Sequence, residues 1–232
     1  MYNDMNYVKH LNESMKNPFP LEVLKISIKK LFKKKITYVC SFGSESAVIL
    51  HMISKIDKNI PIILLNTHFL FEETFDYKNY LLEKFELKNF IEVFPDTLDL
   101  SCKDKKDNLW KTDPDECCNI RKVKPLNTAL QGYDAWISGK KSYHNGERAG
   151  IEFFQWQDHK IVINPLLNSD IKFIDNYFVE NKIEQHPLVK EGFLSIGCTN
   201  CTIKTIDLKN PRSGRWPDTL KTECGIHKNF HK

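Results

Sequence analysis

Residues 36–46 have the sequence ITYVCSFGSES. The run from Ile36 to Cys40 is rich in β-branched and aromatic residues, which is typical of a buried strand. Ser41-Phe42-Gly43-Ser44 predicts a turn, and apolar residues then recur at helical spacing from Ala47 to Ile56. A strand, a loop and a helix in this order form the repeating unit of an open parallel sheet.

Strand and helix patterns alternate along most of the remaining chain. Apolar or alternating runs predict strands at Pro61–Leu65, Phe90–Phe94 and Ala135–Ser138, and a hairpin from Phe153 to Ile163. Helical spacing predicts helices at Pro20–Phe32, at Glu72–Phe85, around Cys117–Val123, and from a cap at Asn168 or Ser169 to about Val179. The predicted fold class is therefore α/β, with a Rossmann-like open, mostly parallel sheet flanked by helices.

The chain is long enough, at 232 residues, for one domain with an apolar core. After Gly197 the density of apolar residues falls, and several prolines and glycines interrupt any long helix or strand. We therefore expect residues 1–201 to form a single α/β domain and residues 202–232 to form a mobile C-terminal tail.

Charge and hydropathy exclude several classes of protein. The 34 basic and 30 acidic residues nearly balance, and a pI near 8.5 is too mild to indicate a nucleic-acid-binding surface. No stretch reaches the roughly 18 apolar residues of a membrane span, and the N-terminal MYNDMNYVKH lacks the apolar core of a signal peptide. We expect a cytoplasmic protein without a nucleic-acid or membrane partner.

Arginine is scarce in this chain. Of the 34 Lys and Arg residues, four are arginines: Arg121, Arg148, Arg212 and Arg215. A guanidinium group can bind phosphate or sulfate through two parallel hydrogen bonds, whereas lysine offers a point charge. The four arginines are therefore candidates for contacts with an oxyanion, and the overall charge is compatible with a small anionic ligand.

The loop Ser41-Phe42-Gly43-Ser44-Glu45-Ser46 lies where open parallel sheets bind ligands, beyond the carboxyl end of a strand. Gly43 permits the turn, the serines supply hydroxyl groups, and the dipole of the following helix favours an anion. A serine-rich helix start without a ligand explains the same residues. The loop has neither the Gly-Lys-Ser/Thr ending of a Walker loop nor the Gly-x-Gly-x-x-Gly pattern of dinucleotide-binding proteins.

Four cysteines form two tight groups, Cys117-Cys118 and Cys198-Thr199-Asn200-Cys201. In a reducing compartment such grouping indicates metal or thiol chemistry rather than disulfides. Four thiolates can hold a [4Fe–4S] cluster or a tetrahedral zinc ion, and unrelated buried thiols are the third interpretation. Adjacent cysteines point in different directions, which suits the separated iron atoms of a cluster better than one zinc ion. Cys40 and Cys102 are interpreted as packing or surface residues.

A further cysteine, Cys224, lies in the segment KTECGIH at residues 221–227. The nearby Lys221 and His227 favour its thiolate, which is the attacking form in nucleophilic chemistry. An exposed cysteine in a frayed terminus is the alternative interpretation.

Taken together, these segments resemble the family of adenosine 5′-phosphosulfate (APS) and 3′-phosphoadenosine 5′-phosphosulfate (PAPS) reductases of assimilatory sulfate reduction, specifically its iron–sulfur branch. The resemblance extends from about residue 36 to residue 227. The serine-rich loop carries it together with CCNIRKVKPL at 117–126, WISGKK at 136–141, NPL at 164–166, HPL at 186–188, SIGCTNCT at 195–202, GRW at 214–216 and KTECGIH at 221–227.

The resemblance implies the adenine nucleotide alpha hydrolase-like variant of the α/β fold and the thioredoxin-dependent reduction of APS to sulfite and AMP. It implies that Cys224 is the nucleophile and that the reaction passes through an S-sulfocysteine. It implies one [4Fe–4S] cluster bound by Cys117, Cys118, Cys198 and Cys201. The implied substrate contacts are Ser41, Phe42, Gly43, Ser44, Glu45, Ser46, Lys122, Arg148, Arg212, Arg215 and His227.

The same resemblance implies a partner protein. The chain ends at Lys232 without a fused thioredoxin-like domain, so thioredoxin or glutaredoxin is expected as a separate thiol donor. Homo-oligomers are common in the family, and one is expected here.

Alternative functions stay open at this point. The chain departs from the family pattern at Asn66-Thr67-His68, where Asp-Thr-Gly is expected, and at Lys140-Lys141, where arginine is usual. PAPS is an alternative substrate, although members with four cluster cysteines generally prefer APS. A tRNA-thiolating enzyme of the related ATP-pyrophosphatase group would require a broader basic surface and a Ser-Gly-Gly loop. A zinc-stabilised binding module would leave Cys224 and the serine-rich loop unexplained.

Overall fold

The strand that begins at Ile36 is an inner strand of a six-stranded sheet. The structure, a computed structural model, describes residues 5–142, 150–217, 219 and 221–226. Its strands are β1 (Ile36–Val39), β2 (Ile62–Leu65), β3 (Phe90–Val93), β4 (Ala135–Ile137), β5 (Phe154–Gln157) and β6 (Lys160–Ile163). Their order in the sheet is β3-β2-β1-β4-β6-β5, and each neighbouring pair is parallel except the β5–β6 hairpin. The predicted fold class is confirmed.

The position of β1 determines where a ligand can bind. Tyr38 of β1 is in register with Ile62 of β2 on one side and with Ile137 of β4 on the other. The chain therefore places β2 on one side of β1 and later returns to place β4 on the other side. In open α/β sheets, such a reversal of strand order opens a crevice at the carboxyl ends of the strands.

Helices cover both faces of the sheet, as a mostly parallel sheet requires. They are α1 (Met5–Ser14), α2 (Pro20–Ile26), α3 (Ser46–Ile56), α4 (Glu72–Lys84), α5 (Thr97–Lys103), α6 (Leu109–Thr112), α7 (Pro114–Cys118), α8 (Lys124–Ala129), α9 (Ile171–Glu180) and α10 (Pro187–Lys190). A wider π-helical turn, Ser27–Leu31, extends α2, and another, Asn119–Val123, joins α7 to α8. Among the described residues, no helix combines the length and apolar character needed to cross a bilayer.

Two local predictions need correction, and both concern aspartate caps. The side chain of Asp170 accepts a hydrogen bond from the Phe173 amide at 2.7 Å and begins α9, so neither Asn168 nor Ser169 is the cap. The polar stretch from residue 96 to 116 contains α5, α6 and the start of α7, although no helix was predicted there before Cys117. Asp96 and Asp113 cap α5 and α7.

The described part of the C-terminal segment packs against the domain. Ile203 donates a backbone hydrogen bond to the Gly214 carbonyl at 2.9 Å, and Trp216 donates one to the Cys201 carbonyl at 3.1 Å. A β-carbon on Gly214 would lie 2.3 Å from the Ile203 carbonyl oxygen, so this close approach requires glycine. The side chain of Trp216 is buried. The mobility of residues 202–232 stays a prediction.

A buried histidine joins two helices beside the sheet. His186 is fully buried and accepts a hydrogen bond at Nδ1 from the Leu188 amide at 3.2 Å, which caps α10. Nδ1 is therefore the unprotonated nitrogen, and Nε2 carries the proton and lies 3.1 Å from Thr74 Oγ1. Burial lowers the pKa of His186 from 6.5 to about 4. Protonation would add a buried charge and remove the cap acceptor.

This arrangement predicts a pH-dependent stability. Because the pKa of His186 is lower in the folded chain, the unfolded chain takes up the proton at a higher pH. The stabilisation from His186 is therefore complete above pH 6.5 and is lost as the pH falls towards 4. The loss attributable to His186 should reach roughly 3 kcal/mol. Denaturant unfolding between pH 7 and pH 4 should show a shallower decline for His186→Asn, which keeps a cap acceptor and does not titrate. Parallel curves for the two proteins would contradict this prediction.

Candidate active site

A cleft opens at the carboxyl ends of β1 and β4, where the reversal of strand order places it. Its cavity has a volume of about 220 Å³. Predicted site residues from five segments line it: Ser41, Gly43, Ser44, Glu45, Ser46, Lys122, Cys198, Arg212, Arg215 and Cys224. Residues separated by more than 180 positions in the chain therefore meet in one cavity.

The serine-rich loop is anchored from both sides. Ser44 donates its hydroxyl hydrogen bond to the Leu194 carbonyl at 2.9 Å, and the hydroxyl oxygens of Ser41 and Ser46 are 3.5 Å apart. A β-carbon on Gly43 would lie 3.3 Å from the Ile196 carbonyl oxygen, so the loop packs closely against the segment before Cys198. The loop thus forms one wall of the cleft, and its hydroxyl groups and backbone line the cavity.

Phe42 is the one loop residue whose side chain leaves the cleft. Its φ of 49° turns the backbone, and its fully buried ring packs edge-on against Phe90 with 6.0 Å between ring centroids. Its amide donates to the Cys40 sulfur at 3.4 Å. A substrate contact by Phe42 would therefore involve its backbone and not its ring.

Two lysines that follow β4 also line the cleft. Lys141 is buried, forms an ion pair with Glu45 at 2.5 Å and donates to the Gly139 carbonyl at 3.0 Å. Lys140 donates to Gln155 Oε1 at 3.3 Å. Neither lysine was assigned a role from the sequence. Their position directly after a strand adjacent to β1 was the signal that could have identified them.

The loop after β2 joins the two groups of cysteines. Thr67 Oγ1 lies 3.3 Å from Cys198 Sγ, and the Phe69 carbonyl accepts a hydrogen bond from the Thr199 amide at 2.7 Å. Leu70 forms an isolated β-bridge with Cys198. Three residues of this loop, Thr67, Phe69 and Leu70, therefore hold the Cys198–Cys201 turn in place.

Arg121 secures the other group of cysteines to the same loop. It is 1% exposed, and its Nη2 lies 2.7 Å from Asp104 Oδ2 and 2.8 Å from Asp107 Oδ1. Its Nη1 donates to the Thr67 carbonyl at 3.0 Å, and the guanidinium group covers the Phe69 ring at 4.1 Å. The expectation that Arg121 contacts an oxyanion is therefore wrong, because its donors are used in a buried ion-pair network.

The thiols of Cys117, Cys118, Cys198 and Cys201 are buried and free of disulfides. Burial raises the pKa of Cys117 to about 12, and the charges of the other three thiols contribute to this increase. The thiols are therefore electrostatic neighbours, and four buried cysteines are a suitable donor set for an iron–sulfur cluster. In the part of the chain that the structure describes, no three His, Cys, Asp or Glu side chains converge into a formed metal site.

Lys122 lines the same cavity as Cys198 and Cys224. Burial by itself lowers the pKa of Lys122, but the charges of Cys198, Cys224 and Cys118 outweigh it and raise that pKa above its usual value. In the opposite direction, burial raises the pKa of Cys198, but the charge of Lys122 and the Thr67 hydroxyl bring it below its usual value. The raised pKa favours the charged form of Lys122 in the cavity that Cys224 also lines.

Arg215 lies flat between a glycine and an aromatic ring. Its guanidinium carbon is 4.4 Å from the centre of the Trp216 ring, and its Nε donates to the Cys201 carbonyl at 3.3 Å. A β-carbon on Gly197 would lie 2.2 Å from Arg215 Nη2, so the arginine uses the space that glycine leaves. Gly197 thus makes room for a cation at the edge of the cleft.

The segment that carries Cys224 is held over the cleft by several contacts. Arg212 Nη2 donates to the Thr222 carbonyl at 2.6 Å and lies 3.3 Å from Glu223 Oε2. Gln157 donates to the Ile226 carbonyl at 2.8 Å, and Lys221 forms an ion pair with Asp115. Cys224 is half-buried and lines the cavity. The predicted contacts Arg148 and His227 lie outside the described residues.

This fold and this cleft define a class: an α/β nucleotide-binding protein that combines a thiol with several cations at the switch point of its sheet. The family model of the phosphoadenosine phosphosulfate reductase domain matches residues 35–204. The chain belongs to this family.

Curated relatives cover most of the chain. It is 39% identical to the adenosine 5′-phosphosulfate reductase of Mesorhizobium japonicum over 90% of this chain and 82% of that protein. It is 37% identical to the protein of the same name from Lysinibacillus sphaericus over 89% of this chain and 90% of that protein.

Solved structures share the fold at lower identity. The phosphoadenylyl-sulfate reductase of Candida auris, in a phosphate complex, superposes with a TM-score of 0.74 at 24% identity, covering 88% of this chain and 99% of that chain. An FMN adenylyltransferase from Candida glabrata, in complex with ATP, has a TM-score of 0.58 at 13% identity, covering 87% of this chain and 64% of that chain. These likenesses confirm the adenine-nucleotide type of α/β fold.

The Arg121 network predicts a large effect on stability. Arg121→Leu leaves Asp104 buried without its partner, and we expect the free energy of unfolding to fall by about 3–5 kcal/mol. Urea denaturation followed by circular dichroism measures this change. The control is Lys9→Ala in the exposed Lys9–Glu13 pair, which should cost about 0.5 kcal/mol or less. A similarly small loss for Arg121→Leu would contradict the prediction.

Proposed function

We propose that this protein reduces APS to sulfite and AMP, with Cys224 as the nucleophile and thioredoxin or glutaredoxin as the thiol donor. The observation that carries the proposal is the position of Cys224, which lines the same cleft as the serine-rich loop, Lys122 and Arg215. The names of the curated relatives support APS as the substrate.

The reaction takes place in two transfers. The Cys224 thiolate attacks the sulfur of the sulfate group, the bond from this sulfur to the phosphate oxygen breaks, and AMP leaves with the electron pair. Cys224 then carries an S-sulfonate. A thiolate of the donor protein attacks the Cys224 sulfur, sulfite leaves with the electron pair of the sulfur–sulfur bond, and a mixed disulfide forms. The donor's second thiol resolves this disulfide and restores the Cys224 thiol.

The cations of the cleft stabilise the charge that accumulates during the first transfer. Lys122 lies beside Cys224, and Arg212 and Arg215 flank the same cavity, so they can face the sulfate oxygens and the departing phosphate. The hydroxyl and amide groups of Ser41–Ser46 are suited to the nucleotide phosphate. Arg148 and His227 are proposed as further substrate contacts because of the family resemblance.

We propose that Cys117, Cys118, Cys198 and Cys201 hold one [4Fe–4S] cluster. All four thiols are buried, and Thr67 and Arg121 connect the two pairs through one loop. When bound, the cluster supplies a fixed charge next to Lys122 and the substrate. The seven free cysteines are consistent with a reducing cytoplasm.

The reaction can be tested by trapping the first intermediate. The anaerobically purified protein is incubated with APS or with PAPS in the absence of reductant, and peptides are mapped by mass spectrometry. A sulfonate on Cys224 is expected with APS, and it should disappear as sulfite when reduced thioredoxin is added. Cys224→Ser should form no adduct, whereas Cys102→Ser, which changes an exposed cysteine, should react as the parent protein does.

Two other outcomes would change the substrate assignment or the class of enzyme. Faster labelling by PAPS would keep the mechanism and reverse the substrate assignment. The absence of an adduct with both nucleotides, in protein that contains its cluster, would overturn the reductase proposal and favour a tRNA-thiolating enzyme.

The cofactor is tested by elemental analysis. Anaerobically purified protein should contain about four iron and four acid-labile sulfide per chain. Cys198→Ser should lower both values because it removes a buried ligand, and Cys102→Ser should leave them unchanged. Zinc at one equivalent without sulfide would instead identify a zinc-stabilised site.

A further inference from the structure

The segment at residues 221–226 is tied to the body of the protein by two ion pairs that differ in burial. In the first pair, the side chains of Arg212 and Glu223 are 16% and 8% exposed. In the second pair, the side chain of Lys221 is 5% exposed and that of its partner Asp115 is 75% exposed. A pair with both side chains removed from solvent is screened less than a pair whose carboxylate is at the surface, so the first contact should control the position of the segment.

Glu223 places a negative charge in the cleft. Lys122 and Arg215 line the same cleft and make it suited to an anion, which this charge opposes. Arg212 compensates that charge. Its Nη2 approaches Glu223 Oε2 at 3.3 Å and donates to the Thr222 carbonyl at 2.6 Å. The guanidinium group of Arg212 therefore contacts both residues that immediately precede Cys224.

We propose that Glu223 is a positioning residue, which acts through Arg212 to hold Cys224 in the cleft. The inference rests on the proposed role of Cys224 as nucleophile and assigns the adjacent carboxylate a separate task. A half-buried thiol on an irregular segment has little regular backbone pairing to orient it, so a side-chain contact next to it in the chain is an effective constraint.

The first test measures whether the segment is held. Hydrogen–deuterium exchange of the amides in residues 221–226 is followed in the substrate-free protein. Glu223→Gln removes the charge with nearly the same shape, and exchange should become about tenfold faster or more as the segment undocks. Amides of β1 serve as the internal reference for intact folding. Asp115→Asn, which removes the pair whose carboxylate is exposed, should change exchange by about twofold or less.

The second test measures whether holding the segment matters for chemistry. At saturating APS, the single-turnover rate of Cys224 sulfonation should fall about tenfold or more in Glu223→Gln. The dissociation constant for AMP should rise by no more than about twofold, because the variant keeps every cation of the cleft and removes a charge that opposes the anion. Adding Glu223→Gln to Arg212→Gln should not accelerate exchange further, since both changes break one contact.

Three results would overturn the proposal. The first is exchange of residues 221–226 at the parental rate in Glu223→Gln, and the second is faster exchange with an unchanged rate of sulfonation. The third is an equal effect of Asp115→Asn in both measurements. If the parent protein forms no adduct at all, the proposed function fails, while the exchange experiment still decides whether the Arg212–Glu223 contact holds the segment.

Discussion

The buried contact between Arg121 and Asp104 is the constraint on which the rest of the active site depends. Arg121 belongs to the turn that follows Cys117 and Cys118, and it also donates to the Thr67 carbonyl in the loop after β2. That loop touches Cys198 through the Thr67 hydroxyl. A single guanidinium group therefore links, through this loop, two pairs of thiols that are about 80 residues apart in the chain. Burial makes this contact costly to break, which gives the arrangement its rigidity.

Charge compensation governs the cleft. Glu45 pairs with Lys141, Glu223 pairs with Arg212, and Lys122 lies among the thiols of Cys118, Cys198 and Cys224. Cations without nearby negative charge would repel one another in a partly desolvated cavity. The two carboxylates, with Cys198, whose pKa the charge of Lys122 lowers, therefore allow several positive groups to remain close together before an anion binds. The lysine and arginine donors of the cleft are therefore oriented before an oxyanion binds.

Much of the fold followed from local patterns. The β1 strand, its serine-rich loop and α3 were predicted because alternation and helical spacing are properties of short segments. The helices α5 and α6 and the start of α7 were missed because they are short and polar, and aspartate caps rather than apolar periodicity mark the starts of α5 and α7. Residues such as Lys140 and Lys141 were noted as part of a motif, but their place in the cleft depends on β4 pairing with β1.

The sequence by itself determined the α/β class, the spacing of the four buried cysteines and the segment that contains Cys224, because each is encoded within a few neighbouring residues. Only the tertiary structure decided how each side chain is used. It directed Arg121 into an ion pair and Arg215 towards the cleft, turned the Phe42 ring into the core, and placed Glu223 against Arg212. The physical reason is that the partner of a charged or aromatic side chain is supplied by residues distant in sequence, and burial then determines the strength of the contact.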